Sequence, residues 1–151
     1  MISILKNVKD IEGYGYDISK QALLVAKENA KRNDVTANFE RSDLFDTITE
    51  KFDVIVSNPP YIPTDVVHGL MPEVVEFEPF QALDGKEDGL YFFRKIIAEA
   101  KEYLMPNGKL LFEIGHDQGS AVSELMTEAG FSDVRVSKDL ARNDRVVMGG
   151  L

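Results

Sequence analysis

Apolar positions along the chain recur with two alternating periods. Six short stretches carry the period of strands: "EGYGYDI", "TANFERSD", "FDVIVSN", "KLLFEIG", "DVRVSKD" and "DRVVMGGL". Between them, helical spacing appears. "KQALLVAKENAKRN" places Leu23, Ala26 and Ala30 on one face, with Ser19 as its N-cap. "GLYFFRKIIAEAKEYL" reads as a helix stopped by Met105-Pro106-Asn107-Gly108, and "GSAVSELMTEAG" as another. The near-continuous apolar character of "FDVIVSN" predicts a strand buried on both faces. The first strand should end at Asp17, the second near Asp43 and the third at Asn58. Residues 62–88, with prolines at 63, 72 and 79, should be irregular. Strands separated by helices imply a parallel sheet, hence the α/β class. The link "DLARN" is too short for a helical crossover, so the last two strands should be antiparallel.

Composition narrows the class without changing it. A chain of 151 residues, 44% hydrophobic and 28% charged, suits one soluble globular domain. Its net charge of −9, from 26 acidic and 17 basic residues, disfavours broad binding to a phosphate backbone. The absence of cysteine removes disulfides and thiolate metal sites and fits a reducing compartment. No apolar run is long enough to span a bilayer, and "MISILKNVKD" is too short and too quickly charged for a signal peptide. The expected location is cytoplasmic. His68 and His116 stand apart in loop-like contexts, and no metal is assigned.

In open α/β sheets, ligands sit at the carboxyl ends of strands. Asp17 at such an end can accept both hydroxyls of a ribose. It can equally be a charge that favours a helix N-terminus, and the residue alone leaves the two readings even. The preceding "GYG" is a decoy. Gly13 and Gly15 lie inside the predicted strand, where close packing explains them better than a phosphate loop does. Asp43 could accept a bond from an exocyclic amine, with Leu44 and Phe45 as an apolar slot beside a base. A plain turn aspartate outweighs that reading when Asp43 is taken alone.

"NPPY" is more specific. Asn58 and Pro59 each precede a proline, so the turn is nearly rigid and has lost two donors. The Asn58 side-chain oxygen and backbone carbonyls remain as acceptors, with the Tyr61 ring close by. Such a corner suits a planar group bearing an NH₂, an amide or a nucleobase amine. It would act by positioning and electrostatics rather than by proton abstraction. "EIGHDQG" at 113–119 gathers polar groups at another strand end, either beside a ligand or as a helix cap.

Together these residues resemble the release-factor glutamine methyltransferase family, the HemK/PrmC type. The likeness runs from near residue 10 to the C-terminus through "YDIS" at 16–19, "SDLF" at 42–45 and "FDVIVSNPPYIP" at 52–63. It continues through "FEPFQALDGKEDGL" at 77–90, "LLFEIGHDQG" at 110–119 and "DLARNDRVVMGG" at 139–150. A sister family that acts on a ribosomal protein usually has His where this chain has Phe77. The resemblance implies a Rossmann-like class I S-adenosylmethionine-dependent methyltransferase fold, a mostly parallel sheet with an antiparallel last strand. It implies S-adenosylmethionine as donor, S-adenosylhomocysteine as product, and as acceptor the glutamine of the Gly-Gly-Gln loop of peptide release factors. Asn58 and the Pro59 carbonyl would hold the amide, with Pro60 stiffening the turn and Tyr61 lining it. Asp17 would hold the ribose, Asp43 and Leu44 would flank the adenine, and Asn58 would also border the cofactor.

The chain also departs from that family. Its glycine-rich loop and first central strand, expected roughly 20 residues before the ribose-binding acid, have no counterpart before Asp17, and "MISILKN" resembles the remainder of the following helix. The helical N-terminal domain of the family has no counterpart either. The expectation is therefore an N-terminally truncated methyltransferase domain over residues 1–151, with apolar edges left on two strands. Weak or no cofactor binding and little activity alone would follow, with self-association through the incomplete sheet as a further consequence. Two other readings stay open: an adenine amino-methyltransferase acting on nucleic acid, and a non-catalytic binding module that keeps only the acceptor corner.

Overall fold

The computed structural model describes residues 1–69 and 79–151. Pro72 and Phe77, singled out from the sequence, lie outside the described residues. The chain forms two compact units, Met1–Thr49 and Glu50–Leu151.

The first unit contains α1 (Ile2–Asn7), β1 (Tyr14–Asp17), α2 (Lys20–Arg32) and β2 (Asn38–Arg41). β1 and β2 are parallel, in register from Tyr14 opposite Asn38 to Asp17 opposite Arg41. Helix α2 begins where predicted, because the Ser19 hydroxyl accepts the Ala22 N–H at 3.2 Å. Lys31 and Arg32 occupy its last turn, where cations suit the helix dipole. Leu23 and Ala30 are its buried positions and Ala26 is half-buried, so the helical spacing of the sequence marks the inward face. The "GYG" glycines reflect close packing. A Cβ on Gly13 would lie 2.5 Å from Leu5 Cδ1, and one on Gly15 would lie 2.9 Å from Phe39 Cδ1. Gly15 sits inside β1, whereas Gly13 lies just before it rather than within the strand.

The second unit holds β3 (Phe52–Ser57), α3 (Thr64–Val67), α4 (Phe80–Leu83), α5 (Tyr91–Ala100), β4 (Leu104–Glu113), α6 (Gly119–Glu128), β5 (Ser132–Lys138) and β6 (Asp144–Gly150). The strand order is β3-β4-β6-β5. β3 and β4 run parallel, and β6 runs antiparallel to both its neighbours. The short "DLARN" link thus makes the antiparallel pair that its length requires. Phe93, Ile96, Ile97 and Ala100 of α5, Leu110 and Phe112 of β4, Val122 and Met126 of α6, and Val147 of β6 form the buried core. The Phe93 and Phe112 rings meet edge to face at 5.1 Å and 83°.

Residues 62–88 are not irregular throughout, since α3 and α4 fall within them, and two further expectations need correction. Helix α5 ends at Ala100, not at Leu104. The Tyr103 carbonyl instead accepts the Phe52 N–H at 2.8 Å, and Leu104 pairs with Phe52, so the ladder draws these residues out of the helix. Pro106 and Asn107, the latter at φ 65°, then form an irregularity inside β4 before pairing resumes at Lys109. The second correction concerns β3, which is not buried on both faces. Val54 is 52% exposed and Val56 62%. β3 ends the strand order, with β4 as its neighbour. An apolar run shows what a strand could bury. Burial itself needs a layer of chain over each face, and Val54 and Val56 stay more than half exposed.

Candidate functional site

In the first unit, β1 and β2 deliver Asp17 and the turn 42–47 side by side, since the Ser42 N–H donates to the Asp17 carbonyl at 3.2 Å. Asp17 is exposed, and its Oδ1 accepts the Ser19 N–H at 2.7 Å. Oδ2 has no partner among the described residues, so a carboxylate already used to start α2 keeps lone pairs for a ligand. Asp43 is exposed, two residues beyond the end of β2, and its carbonyl accepts the Asp46 N–H at 3.1 Å. Leu44 is half-buried at φ 49°. Phe45 is only 6% exposed, so it does not form one wall of an open slot. Ser42, 4% exposed, holds the turn by accepting the Thr47 N–H at 3.2 Å. A surface depression of this unit, about 430 Å³, is lined by residues that include Ile11, Val35 and Thr36, which lead into the strands, and not by the candidate acids.

In the second unit, β3 runs straight into Asn58-Pro59-Pro60-Tyr61. Asn58 is exposed, with no side-chain partner among the described residues, while Pro59 is buried and Pro60 and Tyr61 are half-buried. The segment 62–64, just beyond this corner, is bolted to the residues around Asp84. Ile62 N–H donates to the Leu83 carbonyl at 3.1 Å, Gly85 N–H to the Ile62 carbonyl at 2.8 Å, and Thr64 N–H to the Lys86 carbonyl at 3.0 Å. Asp84 is 4% exposed and accepts from Thr64 Oγ1 at 2.6 Å, Lys86 N–H at 3.0 Å and Lys86 Nζ at 2.7 Å. The hydrogen bond from the Lys86 side chain, followed by that from the Thr64 hydroxyl, lowers its pKa to about 2 against an opposing push from burial. Asp88 is also lowered to about 2, first by the Arg94 guanidinium and then by the Leu90 N–H.

Two glycines let the loop 84–90 touch the backbone of Tyr61. A Cβ on Gly85 would lie 2.7 Å from Tyr61 Cα, and one on Gly89, at φ 72°, would lie 2.3 Å from the Tyr61 carbonyl oxygen. "EIGHDQG" contributes Gln118. It stands at the N-cap position of α6 without a side-chain cap bond, and its amide donates instead to the Tyr61 carbonyl at 3.0 Å. His116 and Asp117 beside it are exposed. "DLARNDR" moors the start of the loop that carries Gln118. Arg145 pairs with Asp139 at 3.2 Å and donates to the Ile114 carbonyl at 3.1 Å. The Asn143 N–H, then the Arg145 side chain, hold the Asp139 carboxyl below the usual carboxylate range.

The sequence profile described as "Methyltransferase small domain" matches residues 1–76. The chain belongs to the methyltransferase small domain family. The matched segment includes Asp17, Asp43, Leu44 and the whole Asn58-to-Tyr61 corner. The chain is 46% identical to the release factor glutamine methyltransferase of Agrobacterium fabrum, over 97% of this chain and 51% of that protein. It is 43% identical to the protein of the same name from Caulobacter vibrioides, over 99% of this chain and 53% of that one. It thus spans about half the length of these relatives. Among solved structures, a methyltransferase from Pyrococcus furiosus superposes with a TM-score of 0.72 at 18% identity, covering 98% of this chain and 66% of that one. That likeness establishes the fold, a partial Rossmann-like methyltransferase sheet. Asp84, Gly85, Gly89 and Gln118 were not candidates from the sequence. The runs "FEPFQALDGKEDGL" and "EIGHDQG" held the signal, but only the folded chain shows that both close on Tyr61. Among the described residues, no helix is long and apolar enough to cross a membrane.

Proposed function

We propose that this small-domain methyltransferase chain carries the machinery for S-adenosylmethionine-dependent methylation of the glutamine in the Gly-Gly-Gln loop of peptide release factors. The observation that carries the reading is Asn58: an exposed amide with no side-chain partner among the described residues, held between a strand and two prolines. The relatives named as release factor glutamine methyltransferases add support along nearly the whole chain.

The chemistry asks for a nucleophilic amide nitrogen. A free carboxamide nitrogen is weakly nucleophilic because its lone pair is shared with the carbonyl. Asn58 Oδ1 and the Pro59 carbonyl would each accept one of its hydrogens, which fixes the nitrogen and concentrates electron density on it. The Tyr61 ring would lie against the flat face of the amide. Neither acceptor is a base, and none is needed. The two acceptors hold the hydrogens until the nitrogen, cationic once it has its new bond to carbon, releases one proton to water. S-adenosylmethionine, when bound, supplies a methyl carbon on a sulfonium whose sulfur keeps the pair of the broken carbon–sulfur bond, giving S-adenosylhomocysteine.

The first unit offers a donor set that fits the cofactor. Asp17 retains a carboxylate oxygen with no partner among the described residues for ribose hydroxyls, and Asp43, exposed beside half-buried Leu44, can accept from an adenine amine. A cytoplasmic location belongs to the same reading, because release factors act on ribosomes.

The test is methyl transfer from labelled S-adenosylmethionine to a release factor, with DNA and RNA arms and a release factor altered at the loop glutamine. Label on the unaltered release factor alone, at the low level expected of this chain by itself, is the expected result. Label on DNA or RNA would move the reading to adenine amino-methylation. No label in any arm, with no heat of donor binding in calorimetry, would overturn it.

A further inference from the structure

We infer that Gln118 is a positioning residue for the acceptor corner, an inference that rests on the function proposed above. Its side chain is nearly enclosed, and its oxygen and both its amide protons are committed to backbone. Oε1 accepts the Gly115 N–H at 3.0 Å, while Nε2 donates to the Tyr61 carbonyl at 3.0 Å and to the Gly89 carbonyl at 3.3 Å. An amide nitrogen has two protons, and here each goes to a different segment. One side chain therefore joins the strand-end corner, the loop 84–90 and the loop after β4.

The placement is not that of a helix cap. Gln118 occupies the N-cap position of α6, yet makes no side-chain bond to that helix. Nor is it packing filler, because the approach is built from both sides. Gly89 adopts φ 72°, and a Cβ there would stand 2.3 Å from the Tyr61 oxygen and 2.8 Å from Gln118 Nε2. Only a glycine lets the two carbonyls converge on one amide. Holding the Tyr61 carbonyl fixes the peptide plane after the tyrosine, and so the point from which its ring projects. Gln118 touches neither the acceptor nor the donor. It acts through Tyr61, and its removal should lower kcat rather than donor affinity.

Two variants of the whole chain test this. Gln118→Met keeps the bulk and removes both N–H donors. Gln118→Glu keeps the shape but puts a carboxylate oxygen against two carbonyls, and only its protonated form can donate. Both should lower kcat for methyl transfer to the release factor by about tenfold or more, with the KM for S-adenosylmethionine unchanged. The Glu variant should recover in part as pH falls, and the Met variant should not. In NMR spectra of the variants, the Ile62, Gly89 and Leu90 amides should shift while those of β5 and β6 stay in place. A folded Gln118→Met chain whose kcat stays within about twofold of the original would overturn the inference. If that variant does not fold, hydrogen exchange in the unaltered chain decides. Gln118 amide protons exchanging as fast as those of a free amide would overturn it, and slow exchange would sustain the clamp. An unaltered chain that transfers no methyl group would sink the proposed function, and with it the catalytic meaning of Gln118. Slow exchange would then still show the clamp standing.

Discussion

Gly89→Ala is the most demanding single perturbation of the acceptor corner, because three costs fall on one methyl group. Gly89 sits at φ 72°, where an L-residue is strained by about 1–2 kcal/mol. The new Cβ would stand 2.3 Å from the Tyr61 carbonyl oxygen and 2.8 Å from Gln118 Nε2. A carbonyl within the backbone cannot swing aside as a side-chain tip can, so relief requires the loop to withdraw. Withdrawal would break the Gln118 bonds to Tyr61 and to Gly89, each worth about 0.5–1.5 kcal/mol net. The sum is a destabilisation of about 2–5 kcal/mol. With a urea slope of about 2 kcal/mol/M, the unfolding midpoint should fall by roughly 1–2.5 M. Gly69→Ala is the control, since among the described residues a Cβ there meets only the Val66 carbonyl at an ordinary 3.6 Å. It should stay within about 0.5 kcal/mol of the original chain. Equal midpoints for the two variants would refute the account of the Tyr61 contact.

Asn58→Ala removes an exposed side chain that has no partner among the described residues, so stability should hold within about 0.5 kcal/mol while methyl transfer falls by about 10². Unchanged transfer by that variant would remove Asn58 from the acceptor site. Asp17→Asn keeps an oxygen for the Ser19 N–H, so α2 should be unaffected, yet calorimetry should show donor affinity about tenfold or more weaker. Equal affinity would leave Asp17 a turn residue and nothing more. Asp84 and Asp88 both have folded pKa values near 2, below the ordinary 3.8. They stabilise the fold fully above pH 3.8, and that contribution is lost as pH falls toward 2. Urea unfolding against pH should show Asp84→Asn less stable than the original chain near neutrality, with the gap closing below pH 4. A gap that is constant across that range would contradict the charge-assisted role of Asp84.

The order of elements could be read from the sequence because each one announces itself locally. Ser19 marks the start of α2, and the five residues of "DLARN" leave room only for an antiparallel return. The stiff turn from Asn58 to Tyr61 was legible for the same reason, since two consecutive prolines constrain their own backbone whatever surrounds them. What sequence reading missed depends on distant partners. Tyr103 and Leu104 look helical until Phe52 claims them as strand partners. Val54 and Val56 look buried, yet their side of β3 stays open because burial is decided by other segments. Gln118 meets Tyr61 across 57 positions and Gly89 across 29, separations at which no spacing rule operates.

Because Gln118 grips carbonyl oxygens, the mooring reads no side chain at position 61. Any residue there would present the same oxygen to the same amide. Evolution, or a protein engineer, could therefore exchange the ring at position 61 for another shape and retune which flat group the corner admits, without loosening the anchor. Under the proposed function, acceptor preference and structural integrity would be separately adjustable at this one residue, a condition that favours the spread of a single scaffold across different methyl acceptors.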